Sequence, residues 1–171
     1  YLLREVFWDN RGVKRIRHSL FARVRLEEFS KGVVLPHEET RQTAKRDRLE
    51  LLSASKANLS PIMGLYRDSS GAIKEILEQA IFKTPLSAVE NVDGQDFTLW
   101  DLSEVSEVKA IHQALLPLSI FLADGHHRYK TAFKYNKDHP NKFGSNKVMV
   151  TLVNAYNKGM NVLPTHRIIT V

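Results

Sequence analysis

Five consecutive residues, Asp124-Gly125-His126-His127-Arg128, hold the densest set of chemically able side chains in this sequence. An apolar run from Leu118 to Ala123 leads into them, and Gly125 breaks it before a helix that opens on His126 and continues through Tyr135. The first amides of a helix have no partner within it, and the helix dipole adds positive potential at that end. Gly125 permits a sharp turn and the close approach of a ligand. Two imidazoles and a guanidinium around such a cup favour an anion, above all phosphate, which an arginine grips in bidentate fashion. Asp124 does not belong in a passive anion hole. A carboxylate beside phosphates needs a cation or a proton between them, so Asp124 reads as a Mg²⁺ ligand or as a base toward a substrate hydroxyl. The plainer alternative makes Asp124 an N-cap and the histidines surface residues.

A second set opens the segment after Val33-Val34-Leu35-Pro36. The pattern predicts a helix over about 37–56, with Glu38 and Glu39 in its first turn, where the dipole favours acids. Arg41, Lys45 and Arg48 follow at helical spacing and share a face. Glu38 is able to bind Mg²⁺ or take a proton from a hydroxyl, and His37 to take that proton or touch phosphate. Lys45 and Arg48 are able to neutralise phosphoryl charge. A solvated helix laced by Glu-to-Lys/Arg pairs, with Asp47 beside a neighbouring base, reads equally from these residues alone. A third candidate is Thr165-His166-Arg167, which reads either as a phosphate or base contact or as the start of a strand. Tyr129 and Phe133 read as core residues, and His18, His112 and His139 carry no role.

The elements that must position these groups are legible in outline. Leu2–Trp8 and Val13–Arg17 flank the turn Asp9-Asn10-Arg11-Gly12, a hairpin signal, and 20–26 alternates as a further strand. Residues 62–66 read as a short buried strand. Ile73, Ile76, Leu77, Ala80 and Ile81 mark a helix. Residues 89–92 and 97–102 flank Asp93-Gly94 as a second hairpin, and 105–115 forms another helix. Residues 148–153 are again strand-like. This mixture predicts an α/β (α+β) domain with helices packed on a mixed sheet.

Composition narrows the function classes. With 171 residues and no repeats or low-complexity tracts, a single domain over 1–171 is expected; Tyr1 at the start and a strand-like end read as a fragment of a longer protein. Cysteine is absent, which removes disulfides, thiolate metal sites and a cysteine nucleophile, and fits a cytoplasmic protein. No apolar run approaches the roughly 20 residues of a membrane span, and no signal peptide is visible. The net charge of +6 is uneven: residues 61–124 carry ten acids against four bases, and residues 125–171 eight bases against one acid. A basic surface of this kind meets phosphate ligands, nucleic acid or an acidic partner, or is merely solvated; the acidic middle opposes a uniformly basic nucleic-acid binder. No Walker-type loop or protein-kinase signature is present.

Ala123-Asp124-Gly125-His126-His127-Arg128-Tyr129 resembles the signature of the domain of unknown function 1015 family. Three further segments agree with it in order: Pro36-His37-Glu38-Glu39-Thr40 with Lys45, Asp47, Arg48 and Leu49; Asn58-Leu59-Ser60-Pro61-Ile62; and Leu163-Pro164-Thr165-His166-Arg167. The Gly-His-His-Arg core also resembles the superfamily of ParB, sulfiredoxin and the free serine kinases, whose Gly-x-x-Arg turn binds nucleotide phosphates at a helix start. That resemblance implies a ParB/sulfiredoxin-like fold, matches Gly125, His126, His127 and Arg128 to the phosphate cradle, and matches Asp124 to an acid of the kinase site. Sulfiredoxin chemistry is excluded, because its cysteine is missing here. The expectation is then a nucleotide-binding domain taking ATP or ADP with Mg²⁺ and acting as a phosphotransferase or kinase on a small hydroxyl-bearing metabolite. Asp124, Glu38 and His37 would be catalytic, Asp124 and Glu38 metal ligands, and Gly125, His126, His127, Arg128, Lys45, Arg48, His166 and Arg167 phosphate ligands. A nucleotide sensor, a ParB-type nucleic-acid module and a nuclease stand as alternatives, and no membrane partner is expected.

Overall fold

Asp9 shows how a local signal becomes structure. Its carboxylate accepts the amides of Arg11 and Val13 at 2.9 Å each and the Arg15 Nε at 2.9 Å, which locks the turn between β1 (Leu2–Trp8) and β2 (Lys14–Arg25). The computed structural model describes residues 1–39 and 43–161, with residues 43–46 described for their backbone alone. The remaining elements are β3 (Val34–Leu35), α1 (Thr43–Ser55), β4 (Ile62–Tyr66), α2 (Ala72–Ala80), β5 (Ser87–Val92), β6 (Gln95–Trp100), α3 (Val105–Leu115), β7 (Ile120–Asp124), α4 (His126–Asp138) and β8 (Lys147–Asn154).

The eight strands form one mixed sheet in the order β3-β7-β4-β8-β2-β1-β6-β5. β3 runs parallel to β7 and β4 parallel to β8; the other neighbours are antiparallel. With four helices among the described residues, this is the mixed α/β domain that the sequence pattern predicts. Ile62, Tyr66, Leu122, Val150 and Leu152 bring β4, β7 and β8 into the core, where Ile73 and Leu77 of α2 and Tyr129 and Ala132 of α4 join them. Gly64 is needed at the centre. A Cβ there would lie 2.8 Å from Ile120 Cγ2 and 3.1 Å from Leu152 and Val150 methyl carbons.

Two expectations need correction. The stretches 13–17 and 20–26 are not separate strands. They are one twelve-residue β2, whose first half pairs with β1 and whose second half pairs with β8; Leu20 sits opposite both Leu2 and Leu152. The apolar alternation slips at Ser19 because Ser19 is buried against the Glu5 carboxylate, which the Arg17 guanidinium also holds at 2.8 and 2.7 Å. The first long helix is also shorter than its pattern. Among the described residues it begins at Thr43, so His37 and Glu38 do not lie in its first turn.

Candidate active site at the end of β7

Strand polarity collects the site. Because β3 is parallel to β7, both strands finish at one end of the sheet; because β4 is antiparallel to β7, β4 starts there, with Met63 opposite Asp124. β8 is parallel to β4 and starts there too. His37-Glu38, Asp124–Arg128, Ser60-Pro61 and the loop before Lys147 therefore meet at that edge, although they are far apart in sequence.

Gly125 takes φ +92° and caps α4 without any side-chain bond. This leaves the first-turn amides outside the helix's own ladder, as an anion site requires. Asp124 is not an N-cap. Its carboxylate accepts a bond from Arg128 Nη2 one helical turn on. Arg128 Nη1 donates to Ser60 Oγ at 2.9 Å and to the Pro61 carbonyl. The guanidinium thus straps the start of α4 to the start of β4, and it lies over Gly125, where a Cβ would come within 3.1 Å of its Nε and Nη2. An anion reaching Arg128 competes with Asp124 for it.

His126 points the other way. Its side chain is 2 % exposed, and its Nε2 accepts the His37 amide at 3.2 Å. That bond requires the lone pair on Nε2, so neutral His126 carries its proton on Nδ1, which faces Glu38 Oε1 at 3.7 Å. Burial lowers the pKa of His126, with the neighbouring His37 acting in the same sense and Glu38 and Asp124 opposing. The His37 ring stands edge-on to His126, with centroids 4.4 Å apart. Its Nδ1 donates to the Leu122 carbonyl at 2.7 Å, which leaves a lone pair on the exposed Nε2 of the neutral ring. These contacts explain the lost helical turn: the His37 amide and ring bond to β7 and α4, and that fixes the chain in a non-helical path past Pro36.

The other expected residues divide clearly. Arg48, exposed on α1, lines a cavity of about 80 Å³ with Arg128, Ser60 and Thr131. His127 is half-buried on the first turn of α4. The Lys45 side chain and all of Arg41, His166 and Arg167 lie outside the described residues. Tyr129 is core as expected, its hydroxyl donating to the Glu27 carbonyl and accepting the Glu27 amide at 2.9 Å each. Ser60 stood out in the sequence only within the Asn58-Leu59-Ser60-Pro61-Ile62 segment of the family resemblance, and Thr131 not at all; the β4–β7 pairing and the packing of α1 on α4 bring them here.

Among the described residues, His37, Glu38 and His126 place one ligand atom each within 4.8 Å of one another. Two imidazoles and one carboxylate are a set for later first-row metals, whereas Mg²⁺ takes oxygen. The His126 nitrogen facing Glu38 also bears a proton. Asp124, expected as a metal ligand with Glu38, accepts a bond from Arg128.

The family described as protein of unknown function (DUF1015) matches residues 1–171. The chain belongs to that family. No curated protein and no solved structure matches it. No helix among the described residues is long and apolar enough to cross a membrane.

Proposed function

We propose that this family member binds the phosphates of a nucleotide at the start of α4 and transfers a phosphoryl group to a small hydroxyl-bearing metabolite. The carrying observation is that Arg48 and Arg128 line one cavity and that the Arg128 guanidinium also lies over Gly125 at the start of α4. Phosphoryl transfer needs mainly positioning and charge neutralisation, and those are what two guanidiniums and a set of helix amides provide.

In this reading the phosphates displace Asp124 from Arg128 and take bonds from Arg128, Arg48 and the first-turn amides. The His126 backbone amide, on the first turn of α4, donates to a phosphate oxygen, while the buried ring, bonded to the His37 amide, holds His37 in place. The acceptor hydroxyl lies against His37 Nε2. Its oxygen forms the new bond to phosphorus, the bond to the leaving phosphate oxygen breaks, and the hydroxyl proton passes to His37 Nε2, with Glu38 beside it. Asp124, once released, is a second place for that proton. Mg²⁺ is commonly held by one or two carboxylates together with substrate phosphates, and Glu38 is the carboxylate free for it. When bound, the ion would neutralise phosphate charge. Lys45, His127, His166 and Arg167 complete the phosphate set on the strength of the resemblance to the ParB, sulfiredoxin and free serine kinase superfamily, and a reducing cytoplasm suits the cysteine-free chain.

The test is thermal denaturation with ATP and with ADP, with and without Mg²⁺. A nucleotide at 100-fold its Kd stabilises by about 2.7 kcal/mol, roughly 5–10 °C for a chain of this size. Arg48→Ala, which removes an exposed side chain, should erase most of that shift. No shift in the wild type, or an equal one in Arg48→Ala, overturns the site. His37→Gln separates enzyme from sensor: an enzyme keeps the shift and loses turnover.

A further inference from the structure

The far half of α4 carries groups that phosphoryl transfer leaves unused. A cavity of about 210 Å³ lies there, lined by Lys56, Asn58, Tyr135, Lys142, Phe143 and Lys147 among others. It shares Leu52, Asn58 and Ala132 with the smaller cavity at Arg48 and Arg128, so the two form one trough along the packed faces of α1 and α4. Arg48, Arg128, Lys56, Lys142 and Lys147 line it; among the described residues no acid does, although Asp124 holds Arg128 from outside the lining. Arg128 and Tyr135 are seven residues apart on α4, about 10 Å at the helical rise of 1.5 Å per residue. The cations are therefore spread along the trough and not gathered at one point.

Two observations show what kind of anion it suits. The Phe143 ring is 97 % exposed at the rim. Among the described residues nothing covers that ring, whereas Tyr135 beside it is buried, stacked on His139 at 4.4 Å with the Lys142 ammonium 5.8 Å from its centroid. Thr131, 4 % exposed, lines the smaller cavity, and its hydroxyl is buried without a hydrogen-bond partner. A hydroxyl in that position suits an incoming oxygen. Cations at intervals, an open aromatic face and no acid are the elements of a single-stranded nucleic-acid groove, in which the backbone tracks the charges and a base stacks on the ring.

We propose that this trough binds single-stranded nucleic acid, with one phosphate between Arg48 and Arg128 near the Thr131 hydroxyl, following phosphates along Lys56, Lys142 and Lys147, and a base on Phe143. A run of Asp and Glu would find the same charges but has no flat ring for Phe143. The proposal shares two arginines with the nucleotide site and does not depend on phosphoryl transfer.

The test is fluorescence anisotropy of the whole chain with 5′-labelled decathymidylate over a salt series, with oligoglutamate of equal charge as competitor. Binding should weaken linearly in log–log terms, with a slope of about −0.7 per phosphate contacted, so that Lys142→Ala/Lys147→Ala flattens it by roughly 1.4. Phe143→Ala should weaken binding about ten-fold with the slope unchanged, as for the loss of one stacked base; an exposed ring can be removed without harm to the fold. No binding at low salt, full competition by oligoglutamate, or an unchanged affinity in Phe143→Ala overturns the proposal. Thermal shifts by ATP or ADP should be the same in Phe143→Ala as in the wild type. Loss of those shifts in every form with decathymidylate binding intact overturns the phosphotransferase reading and supports this one.

Discussion

Gly125→Ala tests the architecture of the turn directly. At φ +92° an alanine is strained by about 1–2 kcal/mol, because its Cβ crowds the backbone in the left-handed region. A second cost comes from packing. The new Cβ would lie 3.1 Å from Arg128 Nε, 3.1 Å from Arg128 Nη2 and 3.1 Å from Ile62 Cγ1. Ile62 is fully buried on β4, so the guanidinium must give way. It then gives up some of its bonds to Asp124, Ser60 and the Pro61 carbonyl, at roughly 1 kcal/mol for each bond lost. The total is about 2–4 kcal/mol, a fall of roughly 5–15 °C in Tm for a chain of this length. Gly71→Ala is the control. Gly71 caps α2 at φ +79° with nothing within 4 Å of its Cβ position, so it carries the backbone strain alone. Differential scanning calorimetry of both variants isolates the contact with Arg128. A Gly125→Ala protein no less stable than Gly71→Ala refutes the packing argument, and with it the claim that glycine is required for the Arg128 strap.

Three further outcomes follow. Glu5→Ala removes the acceptor of two Arg17 bonds and of the buried Ser19 hydroxyl, and should lower stability by roughly 2 kcal/mol in urea unfolding. Asp68 is pushed up by burial but held below its ordinary value by bonds from the Ser70 hydroxyl and from the amides of Ile73, Gly71 and Ser70. Its contribution is therefore complete above the ordinary carboxylate range and is lost as pH falls through the lowered folded value; Asp68→Asn should flatten the acid limb of a stability–pH curve. His126 is held below its ordinary value of 6.5 by burial first and then by His37, so the neutral ring favours folding. Stability should be complete above pH 6.5 and fall as pH drops from there toward the folded value, at up to about 1.4 kcal/mol per pH unit, because a protonated Nε2 would face the His37 amide donor. A His126→Phe chain with the same slope in that window would exclude His126 as its source.

Much of the chain was legible as pattern. A turn signal marked β1, alternation marked the second half of β2, short apolar runs marked β4 and β8, the 3.6-residue stripe marked α2 and α3, and Asp-Gly marked the β5–β6 turn, because these signals arise from residues close in sequence. The Asp124–Arg128 turn was legible for the same reason: an apolar strand, a glycine and a helix start are all local. Its surroundings were not. The sequence pattern carried His37 and Glu38 into a helix, since Pro and two acids make a good first turn, yet the His37 amide and ring bond to His126 and Leu122, 89 and 85 residues away. It showed two imidazoles side by side at His126 and His127, but not that His126 would be buried with its tautomer set. It gave no sign that Ser60 and the Pro61 carbonyl would hold Arg128, or that Asp124 would bind that arginine. The sequence by itself thus determined the elements and the chemistry of the residues at their ends. Strand order and polarity decided which ends meet, and therefore which donors face the ligand, because hydrogen bonds between distant strands depend on the pairing of the whole sheet and leave no period in the sequence.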